Sequence, residues 1–518
     1  MHVVGDALHG SSGDGPVSSN RIAWYCNEIL KRTDGSGPIS TIEFNRDGSH
    51  FAYGNADGIV SVVEMGLAEE SEITHAKHTC SKPYQSFLSH QSEFDVLKSQ
   101  VIEEKITIIR WLSRSAQSHF LLSCNERTIK LWRLSDVPIQ NFSNMNFSTE
   151  RGSRRKLIIR TPEDIRVPVC STDSSSFVVR VWNKREFDRA HSFCITGLSP
   201  SVDRETFFST DALRINLWHL EVTSEVFSIM DRPLDTVDDR THLITGFDCS
   251  HVSPSTFAYC TNRGSVRVHD MRQSVNCDHP SIAVCPKSIS VFNSLPPDES
   301  NILALFVNSM SDVKMGNISD RYLFTRDYMT VKDLAFLFYN LLAHIVWDMN
   351  MPTVPVEVYP VQTQLQSHLS VLYESESLCD DFKLSVSSDD RFIVSGSYNQ
   401  LVKVFDRQAH DNPEYRLLMQ SEEVSPFVDP FRDPSDLNTF TSSLPDSTEL
   451  PWPRVITEDI SADNGLGSVF GSSYVLSDFG RMSGVDLGRK WLQVSWRPGS
   501  YVVAVSHSDG IHLLEALF

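Results

Sequence analysis

The chain has 518 residues, with 46 Lys plus Arg against 66 Asp plus Glu and a formal net charge of −20. So acidic a balance excludes a non-specific nucleic-acid binder, which needs a basic footprint. Hydrophobic residues at 40% and aromatics at 10% exclude a disordered or collagen-like chain. At about 150 residues per domain the length alone suggests three domains, an expectation that internal repeats override.

Met1 to Asn20 is rich in Gly and Ser and has no charged segment followed by an apolar one, so no signal peptide is read. Residues 1–21 are expected as a disordered tail, and Ile22 to Leu30 as an outer strand that closes a ring. One unit then recurs: an alternating strand, a polar turn, a small-residue strand, a tight turn, and an alternating strand ending in an aromatic or its substitute. The first copy is Ile39 to Phe44, Phe51 to Gly54 and Ile59 to Val63. The second is Ile106 to Trp111, Phe120 to Ser123 and Thr128 to Trp132. The third is Ile195 to Leu198, Thr206 to Ser209 and Arg214 to Trp218. The fourth is Leu243 to Phe247, Thr256 to Tyr259 and Ser265 to Asp270.

The fifth copy is Met310 to Lys314, Tyr322 to Thr325 and Thr330 to Lys332, with its ending displaced to Val346-Trp-Asp348. The sixth is Phe382 to Val386, Phe392 to Ser395 and Leu401 to Asp406, and the seventh Leu492 to Trp496, Val502 to Val505 and Ile511 to Leu514. Period-2 alternation bounded by turn residues reads as half-buried strands. Three strands per unit with an outer fourth make a propeller blade. The fold class expected is all-β, a seven-bladed WD40 propeller over 22–518 with long inter-blade loops. Residues 135–190 read as an irregular loop and 408–490, rich in Ser, Pro and Asp, as a mobile one.

The ten cysteines include no C-x-x-C pair, the closest being Cys277 and Cys285. The longest apolar run, Leu334 to Trp347, is short of the roughly 20 residues that span a bilayer. The expectation is a reduced, soluble, cytoplasmic or nuclear protein without membrane or nucleic-acid partners. No nucleophile elbow, phosphate loop or H-E-x-x-H pair occurs, so no enzyme, cofactor or metal is expected. Paired acids such as Asp238-Asp239 and Asp389-Asp390 read as solvated turn residues.

One segment carries more than the repeat. Phe87-Leu-Ser-His90-Gln-Ser-Glu93-Phe-Asp-Val-Leu-Lys-Ser99-Gln-Val-Ile102-Glu-Glu-Lys-Ile106 resembles the hallmark of the 55-kilodalton class of B-type regulatory subunits of protein phosphatase 2A. Further matches are Leu213-Arg-Ile-Asn-Leu-Trp-His-Leu-Glu221, Asp270-Met-Arg272, Ser311-Asp-Val-Lys314, Thr325-Arg-Asp-Tyr328 and Ser395-Gly-Ser-Tyr-Asn399. The resemblance runs from about residue 22 to the end and is weak in 135–190 and 408–490.

The resemblance implies a non-catalytic propeller that joins a phosphatase scaffold (A) subunit and a catalytic (C) subunit and selects phosphoprotein substrates with basic flanks. It implies a projecting hairpin arm over about 84–105 that grips the scaffold through Glu93, Phe94, Asp95, Leu97, Lys98, Ser99, Ile102, Glu103, Glu104 and Lys105. It also implies an acidic substrate groove at Phe193, Asp211, Leu213, Asp238, Asp239, Arg240 and Leu243. The groove departs from the family pattern, with Ala212 for a second acid and Arg240 for a leucine, so altered substrate choice is expected. Thirteen extra residues, 333–345, stand where the family has a continuous blade-five strand; they are expected either to bulge out as a short helix or to reflect a retained intron. The alternative to a phosphatase subunit is a WD adaptor of another complex, such as a ubiquitin-ligase receptor.

Overall fold

A computed structural model gives the fold. It describes residues 23–517 apart from the segments 32–35, 68–78, 97–98, 114–117, 144–146, 149–154, 157–164, 166, 189, 233–241, 274–279, 285–308, 328–342, 350–355, 362–379, 399–400, 410–413, 420–454, 457–480, 483–484, 487–489 and 508–509. The tail expected over 1–21 lies outside the described residues, among which there is no helix.

Six four-stranded sheets and one five-stranded sheet form the body, all with antiparallel neighbours. Blade 1 runs outward from the axis as Ile39–Phe44, His50–Asn55, Ile59–Leu67 and Thr79–Leu88. Blade 2 is Ile108–Trp111, Ser118–Cys124, Ile129–Ser143 and Val169–Phe187. Blade 3 is Gly197–Pro200, Thr206–Thr210, Arg214–His219 and Val222–Asp231. Blade 4 is Ile244–Cys249, Thr256–Thr261, Val266–Asp270 and Ile282–Val284. Blade 5 is Met310–Met315, Tyr322–Asp327, Ala343–Asp348 and Glu357–Pro360. Blade 6 is Leu384–Val386, Phe392–Gly396, Leu401–Asp406 and Glu414–Met419, with Val455–Ile456 as a fifth strand. Blade 7 is Gln493–Trp496, Val502–His507 and Gly510–Leu517, completed by Ala23–Lys31 from near the start of the chain.

The innermost strand of each blade touches those of the blades before and after it, and that of blade 7 touches that of blade 1. This closed ring is the propeller class read from the repeats. Closure by Ala23–Lys31, paired to Gly510–Leu517 from Ala23↔Leu517 to Lys31↔Gly510, covers an edge that an open ring would expose.

Apolar faces of adjacent blades pack into clusters at each seam. Phe208 of blade 3 meets Phe247 and Phe257 of blade 4, with ring centroids 5.5 to 5.6 Å apart. Between blades 6 and 7, Phe392 stacks on Trp496 and Trp24 meets the same indole edge-on. Polar stitches complete the seams near the axis. One position, the last but one of each innermost strand, is held by Glu43, Arg110, Ser199, Asp248, Lys314, Ser385 and Ser495. The Ser199 hydroxyl accepts the Cys249 amide, Asp248 the Met315 amide, Ser385 the Trp496 amide and Ser495 the Phe44 amide, at 2.9 to 3.3 Å. Arg110 Nε donates to the Leu198 carbonyl at 2.8 Å. Each stitch satisfies a backbone group that would otherwise be stranded between blades.

Two loop expectations are revised. Much of 135–190 is strand: Ile129–Ser143 pairs with Val169–Phe187 from Ile129↔Phe187 to Ser143↔Val169. Within 408–490, Glu414–Met419 and Val455–Ile456 are strands of blade 6. The apolar insert leaves the blade-5 ladder whole. Ala343–Asp348 pairs with Tyr322–Asp327 from Tyr322↔Asp348 to Arg326↔His344. Ala343-His344-Ile345 thus takes the ladder positions expected for Thr330-Val331-Lys332, which with the rest of 328–342 lie outside the described residues.

Candidate functional site

Antiparallel strands put the turns between second and third strands, and the connections between blades, on one face of the ring, here called the top. The other turns open on the bottom. The described residues expected in the groove, Phe193, Asp211, Leu213 and Leu243, belong to the top, at blades 2 to 4.

Blade 3 shows how its top turn is held. Asp211 is fully buried. Its Oδ1 accepts the amides of Leu213 and Arg214 at 2.8 and 2.7 Å, and its Oδ2 faces His191 Nδ1 at 3.1 Å. His191 Nε2 meets Ser209 Oγ at 2.6 Å, and the Trp218 indole donates to the same hydroxyl at 2.8 Å. Burial works to raise the Asp211 carboxyl, but the His191 contact and the two amides override it and hold it below the usual carboxylate range. Both its oxygens are engaged inside the blade, so Asp211 closes a turn and presents no charge to a substrate. Leu213 is buried too. The sequence hides this because an Asp in a turn reads as solvated.

Phe193 is 37% exposed beside the exposed Cys194, and Leu243 is half-buried, its amide donating to Asn262 Oδ1 at 2.9 Å. Asp238, Asp239 and Arg240 lie outside the described residues. Phe193, Leu213 and Leu243 therefore come to one face, but the acids expected between them do not form a described surface.

The hallmark segment forms a small ribbon at the top, between blades 1 and 2. Glu93 pairs with Ile102, Phe94 with Val101 and Asp95 with Gln100. Phe94 and Val101 share one face, Phe94 61% exposed, and Val96 at the tip is 78% exposed. Leu97 and Lys98 lie outside the described residues, and Ser99 takes a positive φ of 51° in the turn. Glu103 and Lys105 are exposed and Glu104 half-buried, leading into the buried Ile106. The root is pinned: the amides of Ser89 and His90 donate to the Gly58 carbonyl at 2.8 and 3.2 Å, and Asn125 Nδ2 to the Glu103 carbonyl at 3.2 Å. Gly58 has φ +75°, and a Cβ there would lie 2.2 Å from the His90 carbonyl oxygen, so only glycine fits.

No family model matches the chain. It is 34% identical over 416 residues to "Protein phosphatase PP2A 55 kDa regulatory subunit" of Drosophila melanogaster, covering 79% of this chain and 77% of the relative. It is 33% identical over 482 residues to the beta isoform of the serine/threonine-protein phosphatase 2A 55 kDa regulatory subunit of Carassius auratus, covering 92% of this chain and 93% of the relative. The chain belongs to the protein phosphatase 2A 55 kDa regulatory subunit family. Both relatives are named regulatory subunits, so the chain belongs to a regulatory, non-catalytic class of subunit. Among solved structures, Raptor of Chaetomium thermophilum matches at TM-score 0.46 and 10% identity over 96% of this chain and 29% of that one, too slight a likeness to bear on function.

This family member carries a second, longer ribbon that the repeat reading passed over. The strands Ile129–Ser143 and Val169–Phe187 outrun the inner part of blade 2. The last pair with the neighbouring strand is Ser135↔Ser118, and beyond it Asp136 to Ser143 pairs only with Val169 to Val179. The free end projects from the bottom, opposite the hallmark ribbon. It exposes Val169, Phe177 at 56% and Val178, while Trp182 nearer the root is covered by Arg133, 5.7 Å from its ring. Tyr84 of blade 1 braces the base by donating to Asp136 Oδ1 at 2.8 Å. The run Phe177-Val-Val-Arg-Val-Trp182 was the available signal. It falls outside the three-strand unit and follows Ser171 to Ser176, which is polar and lacks alternation.

Proposed function

We propose that the chain is the substrate-selecting member of a heterotrimeric Ser/Thr phosphatase, binding the scaffold (A) and catalytic (C) subunits. The observation that carries this reading is 33% identity spanning 92% of the chain to a relative named a phosphatase 2A regulatory subunit. The geometry suggests how the work is divided. A ribbon with an apolar strip and no blade behind it needs a partner, since an isolated two-stranded hairpin is marginal in water. The bottom ribbon is the longer of the two and exposes Val169, Phe177 and Val178 along one strand, and we assign the scaffold grip to it. The hallmark ribbon shares the top with Phe193 and Leu243, so Glu93, Glu103 and Glu104 fall to the substrate side. There, acidic side chains favour basic flanks, chiefly through association rate and selectivity.

Affinity purification of the tagged full chain tests both levels. Recovery of A and C subunits is expected, with loss of both on Phe177→Glu plus Val178→Glu and retention on Glu103→Lys plus Glu104→Lys. The opposite pattern would return the grip to the segment 93–105. A wild-type chain recovering neither of them would point to an adaptor of another complex.

A further inference from the structure

Three arginines converge where blade 3 passes to blade 4 at the top. Arg232 follows the outermost strand of blade 3, Arg263 sits in the turn between Thr261 and Ser265, and Arg267 lies on the strand that leaves that turn. Arg232 Nη1 donates to the His242 carbonyl at 2.9 Å. His242 Nδ1 in turn lies 3.4 Å from Thr261 Oγ1 and 3.2 Å from Ser265 Oγ. Burial and the fields of Arg267, Arg232 and Arg263, in that order, push the His242 imidazole down. The Arg232 amide also donates to the Leu213 carbonyl at 3.3 Å, so the cluster borders the expected groove.

Among the described residues the cluster meets no acid. Arg110, Arg185, Arg214, Arg272, Arg321, Arg391 and Arg407 each reach a carboxylate. Among the described residues no carboxylate lies within 4 Å of Arg232, Arg263 or Arg267. Arg263 is half-buried, and its Nε is enclosed with no hydrogen-bond partner. A charged donor shut away from both water and acceptor is costly. In a chain of net charge −20, three neighbouring cations left this way fit an anion that comes from outside.

We propose that this margin is an anion subsite for the substrate chain, taking an acidic or phosphorylated side chain that flanks the residue to be dephosphorylated. The inference rests on the substrate-selecting role proposed above. It adds an acidic-flank preference on the side of blades 3 and 4 to the basic-flank preference on the side of blades 1 and 2.

The test uses the purified full chain and three labelled peptides of one sequence, differing at one flanking position: phosphoserine, Glu or Gln. Binding is expected in that order over a span of about tenfold, the size of a charge-assisted guanidinium contact. Arg263→Gln with Arg267→Gln should compress the span below about twofold, while Arg263→Lys, which keeps the charge, preserves most of it. Equal binding of the three peptides by wild type, or an unchanged span in the double variant, would overturn the subsite. Inorganic phosphate displacing the phosphopeptide as well as the unlabelled peptide does would reassign it to free anion. Loss of A and C co-purification from wild type, with the peptide ranking intact, would sink the phosphatase reading and leave the subsite.

Discussion

Blades 3 and 4 are neighbours of one build, and they close at the top in opposite ways. In blade 3 Asp211, His191, Ser209 and Trp218 form a buried polar chain, and the half-buried Arg214 pairs with Asp231 at 2.7 Å. In blade 4 the corresponding strand, Thr256–Thr261, places Tyr259 at the serine position and Thr261 at the aspartate position. His269 stands where Trp218 would be. It lies between the rings of Phe257 and Tyr259, with centroids 5.3 and 5.5 Å away and planes within 15°. The difference shows that the turn aspartate does two jobs. It satisfies the Leu213 and Arg214 amides, and it holds His191 inside the blade; the charge that meets Arg214 comes instead from Asp231. Where a threonine replaces it, the Ser265 amide donates to the Thr261 hydroxyl instead, and among the described residues no acid takes the place of Asp231 beside the blade-4 arginines.

The comparison makes predictions. The largest effect is expected from Phe257→Ala in blade 4, which removes one wall of the His269 stack and the contact with Phe208 and Phe247. A cost of about 4 kcal/mol is expected, read as a lower denaturant midpoint at unchanged m-value. In blade 3, Asp211→Ala should cost about 3 kcal/mol, because His191 and two amides lose their acceptor inside the blade. Because the folded Asp211 carboxyl is held low, its contribution is complete above the unfolded value of about 3.9 and is lost as pH falls through the lower folded value. Asp211→Asn should therefore flatten the acid limb of a stability–pH curve. An unaltered limb would mean the network does not hold the carboxylate charged.

The third effect runs at milder pH and belongs to blade 4. Burial, then Arg267 and Arg232, push the His269 imidazole down to about 4 from 6.5. The unfolded chain binds this proton first, so stability is lost as pH drops from about 6.5 towards 4 and is unaffected above that window. His269→Phe should remove this slope from melting temperatures measured between pH 4 and 7. A persisting slope would place the titration elsewhere.

The ring was legible because each blade repeats the same alternation. Trp132 and Trp218 mark strand ends whose indole N–H groups donate to Ser123 and Ser209. The closing strand was legible for the same reason. The bottom ribbon was not, since Ser171 to Ser176 breaks the period and its paired residues stand far apart in sequence, from Ser143↔Val169 at the tip to Asp136↔Val179 at the base. At the site, Phe193, Leu213 and Leu243 lie on one face, with Leu213 buried, while Asp211, read as a groove acid, is buried inside blade 3. Spacing gives a residue its turn, and only packing decides whether a carboxylate faces water or the amides beside it. Arg232, Arg263 and Arg267 were invisible for a related reason: they are spread over two blades and meet only when the seam forms.

The closing strand also sets a clock. Cys26 lies near His512 across 486 positions of sequence. Ribosomes add roughly 5 to 20 residues per second, so Ala23–Lys31 waits on the order of half a minute to a minute and a half for its partner strand. Throughout that wait Trp24 and one edge of the growing sheet stack lack their native cover, and the wait ends only when Gly510–Leu517 has emerged. Until that strand arrives the nascent chain carries an open sheet edge, the kind of surface that pairs with other strands, and whatever assembles with the protein meets a closed ring only from that moment.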